Sequence, residues 1–311
     1  RRLFTHHPSL NHIPFKLTAH YNQTSYKLGE VVRDNMPADR LTGNLGLVCN
    51  YGAAGKGNGN NAGAGTGQFW FSDWAVSGER AQLHADRHFG PVLFSQYTLS
   101  RGLLKLTAQM PPLGSADNPN VQLILGGEGQ QQTLEAKIDA DACTATFRVE
   151  DWDAGRDVPY TVRYDERLAD GTTRPYEWTG TIRRDPVDQD VLTVADISCN
   201  IHAAFPNPSY VANAAKLDPD LLACTGDQFY ESTGGYGVVR QPVGKAIVDY
   251  LRKWYIHGWT WRELLRDRPS ISIPDDHDVY QGNIWGLSGA AQTKSQEAGG
   301  YQMDARWVNV V

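Results

Sequence analysis

At 311 residues, with a net charge of -6, 41% hydrophobic and 21% charged side chains, the chain has the length and apolar content for two or three domains, each with its own core. Mixed charge signs leave no basic stripe for nucleic acid and no polybasic patch for a membrane surface, and no apolar run approaches the ~20 residues that a membrane helix needs. Four cysteines in unlike contexts do not make a disulfide framework, although Cys49 and Cys143 would be able to pair if the β-rich parts touch.

Residues 1–187 read as β material. Arg1-Arg2-Leu3-Phe4 has the start of a twin-arginine export signal without the hydrophobic segment that must follow, and Asn22-Gln23-Thr24 is a glycosylation sequon. Phe15 to Tyr21, Gln68 to Phe71, Leu103 to Ala108, Val121 to Leu125, Thr144 to Val149 and Tyr160 to Tyr164 are short runs, many of them alternating. Gly, Pro, Asn and Asp clusters separate them, and this spacing predicts a β-sandwich. The stretch 101–187 has the length of one immunoglobulin-like domain, with 1–100 a β-rich region ahead of it. Asn50 to Gly67 is a Gly/Asn/Ala loop without periodicity. Within it, Gly52-Ala53-Ala54-Gly55-Lys56-Gly57 lacks both the glycine spacing and the hydroxyl of a phosphate-binding loop, which removes a nucleotide reading.

From 188 to 311 the pattern changes to strands alternating with helices. Val191 to Ala195 is an apolar, β-branched run that ends in Asp196-Ile197-Ser198-Cys199-Asn200, as a buried parallel strand does at its carboxyl end. Pro208 to Leu217 makes a helix entered through a proline. Pro219 to Thr225 is a second strand, followed by Gly226-Asp227-Gln228-Phe229-Tyr230-Glu231. Ile247, Tyr250, Leu251 and Trp254 stand at helical spacing within Val243 to Arg268, with Leu264-Leu265 further on. A third short strand, Ile271-Ser272-Ile273, empties into Pro274-Asp275-Asp276-His277-Asp278, with three carboxylates and an imidazole in four consecutive positions. Acid and base that dense at a strand end read as a metal and proton-transfer site. Ligands at three successive strand ends meet along one edge of a parallel sheet, where α/β folds place their sites.

Ser198-Cys199, Gly226-Asp227-x-x-Tyr230-Glu231 and Asp275-Asp276-His277-Asp278 together resemble the PhoD-type alkaline phosphatase/phosphodiesterase branch of the calcineurin-like metallophosphoesterases. The resemblance covers roughly 188–311 and implies an α/β metallophosphatase domain behind the β-sandwich region, in proteins that are commonly secreted. It implies Asp227 as the carboxylate bridging two metals and Cys199 as a ligand where the wider superfamily has Asp, with Asp196 in reserve. A thiolate suits iron or zinc. Tyr230 would bind as phenolate, and Asp276, where the superfamily uses Asn, would hold the second metal through oxygen, which favours a hard cation such as calcium, or manganese. His277 becomes the general acid, with Asp275 or Asp278 orienting its imidazole. The expected reaction is hydrolysis of a phosphate monoester or diester, by a water made nucleophilic between two cations about 3.5–4 Å apart.

Other readings are weaker on chemistry. Gly286-Leu287-Ser288-Gly289-Ala290 nearly spells a nucleophile elbow, but that fold needs a His after the Ser and none follows His277. A non-catalytic surface or scaffold protein with a degenerate phosphatase domain is the main rival. Cys224 and His257 read as core residues, and His202 with Asp196 offers an alternative first ligand pair beside Cys199. Only 34 residues follow His277 (311 minus 277), and Arg306 to Val311 has the look of a strand. A further segment or second chain completing the phosphatase domain and its site is therefore expected.

Overall fold

A computed structural model describes residues 12–20, 26–37, 90–127, 129, 131–168, 170–233, 237–280, 287 and 302–311. Gln68 to Phe71, Cys49, the loop Asn50 to Gly67, the sequon and Ser288 lie outside them. The chain divides into two compact units, Arg1–Asn50 and Tyr51–Val311. In the first, strands β1 (His12–His20) and β2 (Lys27–Pro37) pair antiparallel.

The second unit is rich in β-sheet and has few helices. Strands β3 (Phe94–Ser100), β4 (Leu103–Gln109) and β7 (Thr144–Val149) form one antiparallel sheet, ordered β3-β4-β7. Strands β5 (Asn120–Leu125), β6 (Gln132–Lys137), β8 (Val158–Arg167) and β9 (Thr173–Ile182) form another, ordered β6-β5-β8-β9. Because successive side chains on a strand point to opposite faces, alternation sends Leu104 and Leu106, Val121 and Leu123, Ala145 and Phe147, and Tyr160 and Val162 into one core shared by both sheets. β3 pairs with β4 along its whole length, so this layer reaches back to Phe94, ahead of residue 101.

Three short parallel strands follow, β10 (Val194–Ile197), β11 (Leu221–Cys224) and β12 (Ser270–Ser272), side by side in chain order. Helix α1 (Pro208–Lys216) connects the first two and helix α2 (Val243–Leu265) the last two. At the start of α1 the Asn207 side chain accepts the Tyr210 N–H at 3.2 Å while Pro208, with no N–H to satisfy, takes the first position. α2 buries Ala246, Ile247, Tyr250, Leu251, Trp261, Leu264 and Leu265 against β11 and the loop residues Phe229 and Tyr280. The order is strand, helix, strand, helix, strand; the apolar patterns predicted it with more than one helix between the last two strands, where the described residues form α2 alone. β10 is shorter than its pattern: Val191 and Leu192 are 77% and 56% exposed, and pairing begins only at Val194.

Phe94 from β3 joins the α2 core, and a Cβ on Gly258 of α2 would overlap its ring, so glycine is what lets helix and strand approach. Trp254 Nε1 donates to Gln109 Oε1 at 3.1 Å and the Thr181 N–H to Asp267 Oδ1 at 2.9 Å, which ties the parallel layer to both antiparallel sheets. Cys143 lies buried at this junction as a free thiol.

The expected strand at Arg306 to Val311 is instead a helix, α3 (Ala305–Val310). Asp304 caps it by accepting the Arg306 N–H at 2.8 Å, and the Val308 N–H returns to the Asp304 carbonyl at 3.0 Å. Trp307 is fully buried against Tyr250 and Tyr280 and donates its Nε1 hydrogen to the Ala246 carbonyl at 3.1 Å. Burying one large indole with its N–H satisfied outweighs the β-preference of three valines.

Candidate metal centre

Loops leaving the carboxyl ends of β10, β11 and β12 are laced to one another by their backbones. The Cys199 N–H donates to the Gly226 carbonyl at 3.2 Å, the Asn200 N–H to that of Asp227 at 3.0 Å, and the Ile273 N–H to that of Cys224 at 2.8 Å. The buried Gln228 amide bridges the Cys224 and Ile273 carbonyls at 3.2 and 3.1 Å. Gly226 has φ +110°, and a Cβ there would come within 2.5 Å of Asp275 Cβ, so glycine is required at this crossing. Cys199 and Asp227 also hold left-handed φ values of 55° and 50°, an arrangement that costs a non-glycine residue roughly 1–2 kcal/mol and clusters at functional sites.

These turns bring most of the expected ligands together. One ligand atom from each of Asp227, Asp276 and His277 lies within 4.8 Å of the other two. Tyr230 adjoins them: its hydroxyl interacts with both Asp227 and Cys199, so the thiol, the phenol and the buried carboxylate lie together. Asp227 Oδ1 is buried without a hydrogen-bond partner. An ionised oxygen in that state is costly unless a cation or donor meets it.

Charge crowding shows in the protonation of the neighbours. Partial burial, then the hydrogen bond and negative charge of Asp227 and the charge of Cys199, raise the Tyr230 pKa. Burial, with Asp227 and Asp275 close by, raises that of Asp276. Burial alone would lower His277, but Glu231, Asp227 and Asp276 outweigh it and raise its pKa.

The imidazole is oriented by a residue the sequence reading did not assign. His277 Nδ1 lies 2.5 Å from Glu231 Oε2, and the ring packs 4.3 Å from that of Tyr230. Neither Asp275 nor Asp278, the two orienting groups expected, holds that place. Asp275 Oδ1 accepts the Asp276 N–H at 2.9 Å as a local turn. Asp278 is buried and accepts three backbone N–H groups, from Asp227 at 2.7 Å, Asp275 at 2.9 Å and Gln228 at 3.0 Å. It is the clamp between the β11 and β12 loops, and burial pushes its pKa up to about 7 against those donors.

The reserve ligands are engaged elsewhere. Asp196 accepts the Thr225 hydroxyl at 2.6 Å on an exposed part of the sheet edge. His202 is buried, with Nδ1 accepting the Tyr230 N–H at 3.2 Å and Nε2 at 3.0 Å from the Thr233 carbonyl, so it holds the Tyr230 loop rather than facing the cluster. Cys224 sits in the core, its pKa pushed up to about 11 by burial.

No family model matches the chain, and no curated protein matches it. Among solved structures, a likeness is found to the glycoside hydrolase family 64 laminaripentaose-producing β-1,3-glucanase from Paenibacillus barengoltzii, complexed with laminarihexaose. Identity is 14% over 33% of this chain and 26% of that one, with a TM-score of 0.22, a level that carries no argument about fold or activity. Among the described residues no helix is long and apolar enough to cross a membrane.

Proposed function

We propose that the chain hydrolyses phosphate monoesters or diesters at a metal-dependent centre formed by Cys199, Asp227, Tyr230, Asp276 and His277. The observation that carries this reading is Asp227 Oδ1, buried and without a partner in the middle of that donor set. The spellings of the three loops support the PhoD-like branch of the metallophosphoesterases, with the two antiparallel sheets ahead of the site as an immunoglobulin-like module. On the same resemblance the protein would work outside the cytoplasm.

The donors fit a metal pair of unlike character. Cys199 and Tyr230 offer sulfur and phenol oxygen, the donors iron or zinc would take, and Asp276 offers the hard oxygen that calcium or manganese prefers. Asp227 would offer its carboxylate to both. Bound cations would polarise the phosphoryl oxygens and screen the charge that repels a nucleophile. The chain supplies the rest. His277 delivers a proton to the departing alcohol oxygen, and Asp278 and Gln228 hold the two loops in register. His202 fixes the backbone at Tyr230.

Metal analysis of the purified protein, combined with turnover of nitrophenyl phosphate and its diester, tests the proposal. Bound metal with chelator-sensitive turnover is expected. If iron occupies the Tyr230 position, the concentrated protein is coloured by phenolate charge transfer and Tyr230→Phe bleaches it. Protein that takes up no metal and turns over neither ester belongs to the scaffold reading.

A further inference from the structure

The geometry points to Glu231 as the residue that positions His277 for proton delivery, an inference that rests on the hydrolase reading above. Glu231 is 4% exposed, and its Oε2 takes the Nδ1 side of the imidazole at 2.5 Å. A carboxylate can only accept, so His277 must carry its hydrogen on Nδ1, which leaves Nε2 for the substrate. The ring is gripped from two sides, by the Glu231 carboxylate at its edge and by Tyr230 packed 4.3 Å away. Both neighbours come from the same turn after β11, and the Tyr230 N–H is fixed by His202 while Asp227 and Gln228 are fixed by Asp278.

Behind Glu231 stands a buried cation. Lys253 of α2 is fully buried and donates to Asp249 Oδ2 and to the Tyr280 hydroxyl, both at 2.6 Å, and its charge is felt by Glu231. The proton itself comes from Nε2 of the imidazolium and goes to the leaving oxygen. Glu231 orients and polarises the ring without entering the bond changes.

Kinetics and spectroscopy of Glu231→Gln, Glu231→Asp, His277→Asn and the Glu231→Gln/His277→Asn double variant test this. Glu231→Gln should lower kcat for an alkyl phosphate ester about 10- to 100-fold, with far less loss on the nitrophenyl ester, unchanged metal content, and partial recovery in Glu231→Asp. In the His277→Asn background the same change should cost nothing more. Nitrogen NMR of the metal-loaded protein, assigned against His277→Asn, should show hydrogen on Nδ1 of His277 in the wild type and its loss or weakening in Glu231→Gln. Equal losses on both esters, lost metal, or a further loss in the double variant would overturn the inference. If the wild type turns over neither ester, it is the hydrolase reading that fails. The NMR result then decides positioning by itself: a His277 without hydrogen on Nδ1, or one indifferent to Glu231→Gln, sinks it.

Discussion

In the two-sheet layer the buried polar groups around Ser95 find one another. Trp178 Nε1 donates to Ser95 Oγ at 2.8 Å, the Ser95 and Tyr160 hydroxyls meet at 2.7 Å, and Tyr160 reaches the Arg266 carbonyl at 2.9 Å. At the ends of β10 to β12 the opposite holds. Asp227 Oδ1 has no partner, and Asp276 and Tyr230 are pushed toward their neutral forms first by burial and then by nearby negative charge. The first arrangement lowers the free energy of the fold. The second raises it, and such a cost persists where a ligand offsets it.

The sharpest way to break this contrast is Asp227→Asn, since asparagine tolerates the left-handed backbone and keeps the shape. Metal uptake and chelator-sensitive turnover should fall to background. The unfolding midpoint of the metal-free protein should not fall, because a buried uncompensated charge has been removed. A lower midpoint with metal uptake intact would place Asp227 among the ordinary structural carboxylates.

His277→Asn sharpens the chemistry of the same region. An alkyl phosphate ester should lose a factor of roughly 10² to 10⁴ in kcat, while a nitrophenyl ester, whose alcohol leaves without help, should lose much less. Equal losses would mean that His277 serves the metal or the fold.

The mirror experiment lies in the layer. Trp178 is 5% exposed, with the Arg262 guanidinium 4.2 Å from its ring. Trp178→Ala should cost about 3–5 kcal/mol in urea unfolding, with metal content and kcat per folded molecule unchanged. Loss of metal from protein that is still folded would show the two regions to be coupled.

Much of this architecture was legible in the chain itself. Val121 to Leu125, Thr144 to Val149 and the strand-helix-strand order after Val194 carry periods that only one element type fits. That Asp227, Asp276 and His277 lie together was foreseeable because strand ends in an α/β layer converge, whereas Cys199 and Tyr230 were expected beside them only on the family resemblance. Residues whose roles depend on direction rather than spacing were not. Asp275, Asp278 and Glu231 are all carboxylates next to a residue of the proposed site. Only the fold shows that Asp278 turns to the backbone while Glu231, 46 positions from His277, meets the imidazole. Arg306 to Val311 misled for a related reason: its valines have strand propensity, but one tryptophan with a cavity to fill decides the matter.

The smallest effect concerns His257 of α2. Its ring is fully buried, stacked 5.4 Å from Trp254 and 6.2 Å from Phe205, and neither nitrogen has a hydrogen-bond partner of normal geometry. Burial drives its pKa down to about 4, with a weak opposing contribution from the Gln228 backbone and none from a charged side chain. Unfolded, the same imidazole titrates near ~6.5. Below that pH the unfolded chain takes a proton that the folded one refuses, so stability is full above ~6.5 and is lost as pH falls toward 4, at no more than ~1.4 kcal/mol per pH unit. His257→Leu, which fills most of the same space, should flatten that part of the acid limb and leave stability at pH 8 nearly unchanged. Urea unfolding of both proteins at pH 8, 6.5 and 5.5 measures it. Parallel curves would show that His257 finds a proton partner in the folded state, and the acid limb would then belong to the carboxylates at the strand ends.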